Sequence, residues 1–370
     1  MRSLIFVALF TISTSACIAQ DPTTITDDKG NTFELTTYTG EVPSARQMAQ
    51  TESGLLFVGS RQGRGNLYAV VPPKLEGESP EVVTFETGLP MPSGLALKNG
   101  ALIVAAHYQI LRYPNIEDTF RDNPEPEVIA DDLPKALGHG WKYLSVGPDG
   151  FLYFNVGAPC NICLSDDERF ASILRMDPES GESEVYAHGI RNSVGIEWHP
   201  ESKLMWFTDN GRDRWGDDRP PEEVNVVTEP GAHFGYPFLH GDNMPDPQFG
   251  DQRRKDVEYV KPVVNIQAHS AALGLKFYTG DSFPEIYDNA LFIAEHGSWN
   301  RSSKVGYRVS VIRFDTGKPV YYPFIDIWLK GERASARPSD VLVANDGSLL
   351  IADDFRGAIY RVAYKSDTPG

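Results

Sequence analysis

Short runs in which apolar and polar residues alternate recur along the chain. Each is followed by a tight turn, a second and more continuous apolar run, a loop, and then a third run. ARQMAQTESGLLFVGSRQGRGNLYAV opens the series at Ala45, and SGLALKNGALIVAAHYQILRY follows at Ser93. YLSVGPDGFLYFNVG begins at Tyr143 with SILRMD at Ser172, and VGIEWHPESKLMWFTDNG begins at Val194 with EEVNVV at Glu222. LGLKFYTGDSFPEIYDNALFIAEHG starts at Leu273 with VSVIRF at Val309, and DVLVANDGSLLIADDFRGAIYRVAY starts at Asp340. The period of two, with PDG, NDG and KNG between runs, predicts hairpins of β-strands. No long amphipathic helix is visible. Six such units, spaced by roughly 40–70 residues, predict an all-β chain folded as a six-bladed β-propeller. FELTTY, residues 33–38, is expected to supply the outer strand that closes the ring, and residues 242–263 break the pattern as an inserted loop.

In such a ring the start of each innermost strand and the loop after each second strand meet at one mouth of the channel. The first set contains Arg46, His139, Lys142, Arg191, Asn192, His269 and Arg337. The second contains Arg61, His107, residues 158–163, residues 209–213, residues 296–301 and residues 354–356. Any one of these arginines has the alternative of being solvated or paired with a nearby Asp, and a lone His is more often structural. Together they describe a ring of cations able to clamp carboxylates.

Charge sharpens this. The 370 residues carry a formal net charge of -17, which makes nucleic acid and anionic membrane surfaces poor partners for the molecule as a whole. An anion must therefore be held by locally placed cations. MRSLIFVALFTISTSACIAQ reads as an export signal, with Arg2 as its basic start and a short apolar core. Cleavage after Ala19 leaves residues 20–370 as a single propeller domain, periplasmic or secreted. A lipid anchor at Cys17 is the alternative, although Thr14 stands where such sites usually carry Leu. No segment is long and apolar enough to span a bilayer. In an exported chain Cys160 and Cys163 read as a small-loop disulfide. Zinc is disfavoured because no second ligand pair stands at the right spacing, and CNICL lacks the His of a haem attachment site.

GHGWKYLSVGPDGFLYFNVG, GIRNSVGIEWHP, WFTDNGRDRWGDDRPPEEVN and LFIAEHGSWNRSSKVGYRV together resemble the soluble aldose and sorbosone (pyranose) dehydrogenases that depend on pyrroloquinoline quinone, PQQ. The likeness runs from about Arg46 to GAIYRV, and is closest to the sorbosone branch, which shares CNIC and EHGSWNR. It implies a six-bladed propeller whose cofactor, PQQ, carries three carboxylates. It implies that His139 is the general base for the anomeric hydroxyl, and that Arg191 and Asn192 contact the quinone oxygens. Arg337 would bind a carboxylate. The Gly211 and Arg212 carbonyls would hold Ca2+, and His296, Trp299 and Arg301 would add cofactor contacts. The substrate would be a sugar, and electrons would leave to an external acceptor. Two positions depart from the pattern. Ala158 stands where the glucose-dehydrogenase branch has an Asp that orients the base, and Ser339 replaces a second basic residue, for which Arg46 and Arg61 could compensate.

Two other functions fit the same scaffold. A Ca2+-dependent propeller hydrolase of the lactonase kind would want a carboxylate-rich metal site, with Asp209, Asp213 and Asp354 as candidates. A non-enzymatic glycan-binding propeller would line the mouth with aromatics.

Overall fold

The structure, a computed structural model, describes residues 22–365 except 76, 315 and 316. The expected export signal and Cys17 lie outside the described residues. Within them the chain forms six antiparallel sheets around a channel, five of four strands and one of five. The innermost strands are Ala45–Gln50, Gly94–Lys98, Leu144–Val146, Ile196–Trp198, Ala272–Phe277 and Pro338–Val343, one from each of blades 1 to 6. Each starts within two residues of its expected position.

The second strands LFVGS, ALIVA, LYFNV, MWFTD, LFIAE and LLIAD are buried at every position. This is why they read as nearly continuous apolar runs: a blade is covered on both faces by its neighbours. In LYFNV, Leu152, Phe154 and Val156 pack toward blade 2, while Tyr153 packs toward blade 4. Every interface between adjacent blades has its own apolar cluster. Each fully buried Phe or Leu there contributes about 1.5–3 kcal/mol. The KNG turn is a two-residue hairpin in which Asn99 (φ 51) and Gly100 (φ 76) both take the left-handed conformation that matches strand twist.

The ring closes as expected. Thr32–Thr39 pairs with Ala358–Lys365 of blade 6, and Thr23–Thr26 adds a fifth strand outside it. Phe33 locks this joint edge-on against Phe283, Tyr287 and Phe324. The inserted loop is longer than expected. It begins directly after the third strand of blade 4, Glu222–Val227, and ends at the outer strand Val264–Ile266. Its start is hidden in sequence because GAHFGYPFLH is as apolar as a strand. The segment instead packs beside blade 3, where a cavity of about 1540 Å3 opens between them. His188 lines that cavity, half-buried and stacked over His233 at 6.4 Å.

The channel is blocked at mid-height. Asp340 of blade 6 accepts hydrogen bonds from the Met48 amide (2.8 Å) and the Tyr143 hydroxyl (3.1 Å), joining blades 6, 1 and 3. Gln47 ties blades 1, 2 and 3 by accepting from the Leu95 and Leu144 amides. The expected mouth is therefore a cup with a floor. Below the plug a second cavity of about 440 Å3 opens at the opposite end, where Lys276 pairs with Glu197.

Candidate active site

His139 sits in the loop before the inner strand of blade 3. It takes a left-handed conformation (φ 51), uncommon outside glycine, between Gly138 and Gly140. Its Nδ1 lies 2.7 Å from the Ala158 carbonyl oxygen. A carbonyl only accepts, so Nδ1 carries the proton and Nε2 is left as a base. Ala158 in turn donates its amide to the Arg191 carbonyl at 2.8 Å. Gly157 permits this stacking of three backbones: a Cβ there would stand 2.5 Å from the His139 Cβ. Burial, helped by the positive charge of Arg191 and opposed by the Ala158 bond, pushes the imidazole down to about 4. His139 is thus neutral near pH 7, and a backbone carbonyl does the orienting that the sequence seemed to lack.

Arg191 is buried and largely spent. Nε donates to the Asn161 carbonyl (2.8 Å), Nη2 to Asn161 Oδ1 (2.9 Å) and Asp213 (3.2 Å), and Nη1 to the Asn210 carbonyl (3.0 Å). One of its five N–H groups is left for a ligand. Its main effect is to clamp the Cys160–Cys163 loop, which is disulfide-bonded, to the loop after the second strand of blade 4. Tyr236 holds the other side of the disulfide loop, accepting the Cys163 amide at 3.0 Å. Asn192 lies beside it with its buried Oδ1 unpartnered.

The carbonyls of Gly211 and Arg212 accept no hydrogen bond from the described residues, so they are free hard donors. The carboxylates around them are engaged. Asp209 accepts the amides of Arg191 and Asn192, Glu222 that of Gly211, and Asp246 binds the Arg212 guanidinium. Among the described residues no group of three or more His, Cys, Asp or Glu side chains could hold a metal. Asp209, Asp213 and Asp354 do not form the carboxylate cluster a metal hydrolase would need.

Across the cup, Asp354 is a hub. Its carboxylate meets Arg46 (3.1 Å), Arg61 (3.5 Å) and His296 (2.8 Å). Burial alone would raise its pKa, but Arg46, His296 and Arg61 hold it well below the usual carboxylate range. His296 is pushed down to about 4 by burial, against the pull of Asp354. Arg46 is buried with its Nε unpartnered, and both Arg46 and Arg61 lie near the face of Trp141. The Arg337 guanidinium donates to the His296 and Gly297 carbonyls, both at 3.2 Å, lies 5.6 Å from the Tyr307 ring centre, and has no ion pair among the described residues. Lys142, three residues after His139, is buried, and among the described residues its ammonium has the Gly140 carbonyl, at 3.5 Å, as its one hydrogen-bond partner.

Arg301 binds the Asp217 carbonyl and Asp218, bridging blade 5 to blade 4, while Trp299 is 69% exposed and stands away from this network. His107 and His269 are tied to the Ala136 and Gly216 carbonyls. Sequence reasoning saw in Ala158 only a missing Asp, because the backbone oxygen that meets His139 has no residue signature. It also missed Asp354 as the counter-charge of the cations, which its place after the last second strand could have suggested.

A sequence model of a family described as TrAA12-like matches residues 176–365. The chain is 32% identical over 376 residues to an uncharacterized protein of Borreliella burgdorferi, covering 98% of this chain and 97% of that one. It is 30% identical over 118 residues to the aldose sugar dehydrogenase YliI of Escherichia coli, covering 31% of this chain and 30% of that one. Among solved structures it is similar to the holo form of the pyranose dehydrogenase PQQ domain from Coprinopsis cinerea. There the TM-score is 0.74 at 18% identity, over 93% of this chain and 98% of that one, a likeness of fold.

Proposed function

Starting from a chain that belongs to the TrAA12-like family, we propose that it is a PQQ-dependent dehydrogenase of aldose-type sugars, nearest the sorbosone branch, periplasmic or secreted, that passes electrons to an external acceptor. The observation that carries this reading is one neutral, oriented imidazole facing cations that lack a full set of counter-charges. A tricarboxylate fits that set. Arg337, Arg46 and Arg61 would hold its carboxylates, with the single free N–H of Arg191 and the Asn192 amide beside its reacting oxygens. Ca2+ would rest on the Gly211 and Arg212 carbonyls. The names of the similar dehydrogenases support the sugar and the cofactor.

When bound, the quinone supplies a carbonyl centre that accepts a hydride, and Ca2+ polarises it. The chain does the rest. The Ala158 carbonyl fixes the tautomer of His139, and Nε2 takes the proton of the anomeric hydroxyl as hydride leaves the same carbon. Burial, with the Arg191 guanidinium nearby, keeps the imidazole from being protonated in advance. The plug of Asp340, Tyr143 and Gln47 closes the cup from below, so substrate and acceptor enter from one side.

The test is reconstitution. Protein stripped with a chelator is titrated with PQQ and Ca2+, then assayed for dye reduction with a panel of aldoses. Binding at micromolar quinone and turnover of at least one aldose are expected. Absence of binding at that level overturns the reading.

A further inference from the structure

Lys142 is a buried cation that the reading above leaves unused, and among the described residues it has no ion pair. Its side chain is among the largest fully buried in the molecule. Arg46, Arg191, Arg212, Arg308 and Arg313, all largely buried, each stand against a carboxylate. Among the described residues no carboxylate lies within ion-pair distance of Lys142, whose ammonium has one carbonyl at 3.5 Å. A buried charge without a partner is strongly unfavourable, so such a group either gives up its proton or meets an opposite charge that arrives.

The surroundings fix the group. The Lys142 amide donates to Ser93 Oγ, which donates back to the Lys142 carbonyl, both at 2.9 Å, so the backbone is riveted to blade 2. The titratable and charged groups around this stretch are His107 from blade 2, Arg46 and Arg61 beside Trp141 from blade 1, and His139 on the same loop. None is an anion. Resting on the dehydrogenase reading, we propose that Lys142 is a ligand-binding residue of the cup, its ammonium receiving a carboxylate of the quinone and forming an ion pair that the empty protein lacks. Lys142 thus stands in for the basic residue replaced by Ser339, from the opposite side of the ring.

Without the ligand, burial pushes the Lys142 ammonium down to about 7. An arriving carboxylate restores the charge, so binding at pH 8 takes up a proton. A lysine that merely fills the seam between blades 2 and 3 would be replaceable by methionine with no effect on binding. The experiment is calorimetric titration of PQQ, with Ca2+ present, into wild type and Lys142→Met at pH 8 in two buffers of different ionisation enthalpy. Thermal melts confirm that the variant folds. Wild type is expected to bind with net proton uptake, and the variant to bind at least tenfold more weakly without that uptake. Equal affinity and equal uptake in the two proteins overturn the role of Lys142 and leave the dehydrogenase reading standing. A wild type that binds no quinone overturns that reading and this proposal together.

Discussion

Lys142 and Lys276 stand at opposite ends of one channel and are held in opposite ways. Below the plug, Lys276 is matched by both oxygens of Glu197, at 3.1 and 3.0 Å, and neither side chain is fully buried. Above it, Lys142 is buried with one distant carbonyl. At the lower end Lys276 has its carboxylate; at the upper end Lys142 has none among the described residues. The same contrast holds within the upper mouth, where Asp354 answers Arg46 and Arg61 while the side chains of Arg337 and Lys142 have no carboxylate partner among the described residues. A site declares itself here by missing partners more than by the residue types present.

The largest expected effect belongs to the one base in the cup. His139→Ala is expected to reduce turnover by about 10²–10⁴-fold in dye reduction while quinone affinity stays within a few-fold. In wild type the base is lost by protonation, so kcat/KM is expected to rise with pH through about 4 and then level off. A profile that rises only above pH 6 would mean that burial and Arg191 do not hold the imidazole down.

The two lysines separate next, through the stability of the cofactor-free protein. The folded ammonium of Lys142 sits near 7, below its ordinary 10.5. Between these values the unfolded chain holds a proton that the folded one does not. The destabilisation is therefore complete below pH 7, fades as pH rises, and is gone above about 10.5. Lys142→Met is expected to raise the Tm by several degrees at pH 6 and by little at pH 10. Lys276→Met is expected to lower the Tm slightly and to leave the quinone titration unchanged. A Lys276 variant that binds quinone poorly would break the comparison.

Asp340 tests the plug between the two ends. Burial pushes its carboxyl up to about 7, so the folded state holds a proton the unfolded state has lost. Its contribution to stability is present below about pH 4 and declines as pH rises to 7. Asp340→Asn is expected to flatten this part of the fall in Tm between pH 5 and 8. The smallest effect is expected at Trp299, exposed and outside the network: Trp299→Ala should leave quinone affinity within about twofold, by the same titration.

The architecture was readable because the blades repeat a local rule. Period-two runs and two-residue turns carry the strand pattern, and FELTTY marked the closing strand without any tertiary information. The inserted segment was only half readable, since residues 228–241 have strand-like composition and only packing shows that they leave the sheet. The convergence of Arg46, Arg61, His139, Arg191, His296 and Arg337 on one mouth followed from topology. Their partners did not. The orientation of His139 depends on a backbone oxygen, the spending of Arg191 on the disulfide loop depends on exact contacts, and the isolation of Lys142 is an absence that no single chain position can announce.

The closure of the ring has a consequence in time. Thr32–Thr39 waits for Ala358–Lys365, and Arg61 waits for Asp354, 293 positions further along. Until the last blade is in place the first has no neighbour on one side, and the cations of the cup have no common counter-charge. Contacts of such long range form late and slowly. The cup is therefore expected to assemble late in folding, and on the proposed reading a cofactor would meet molecules whose ring has already shut.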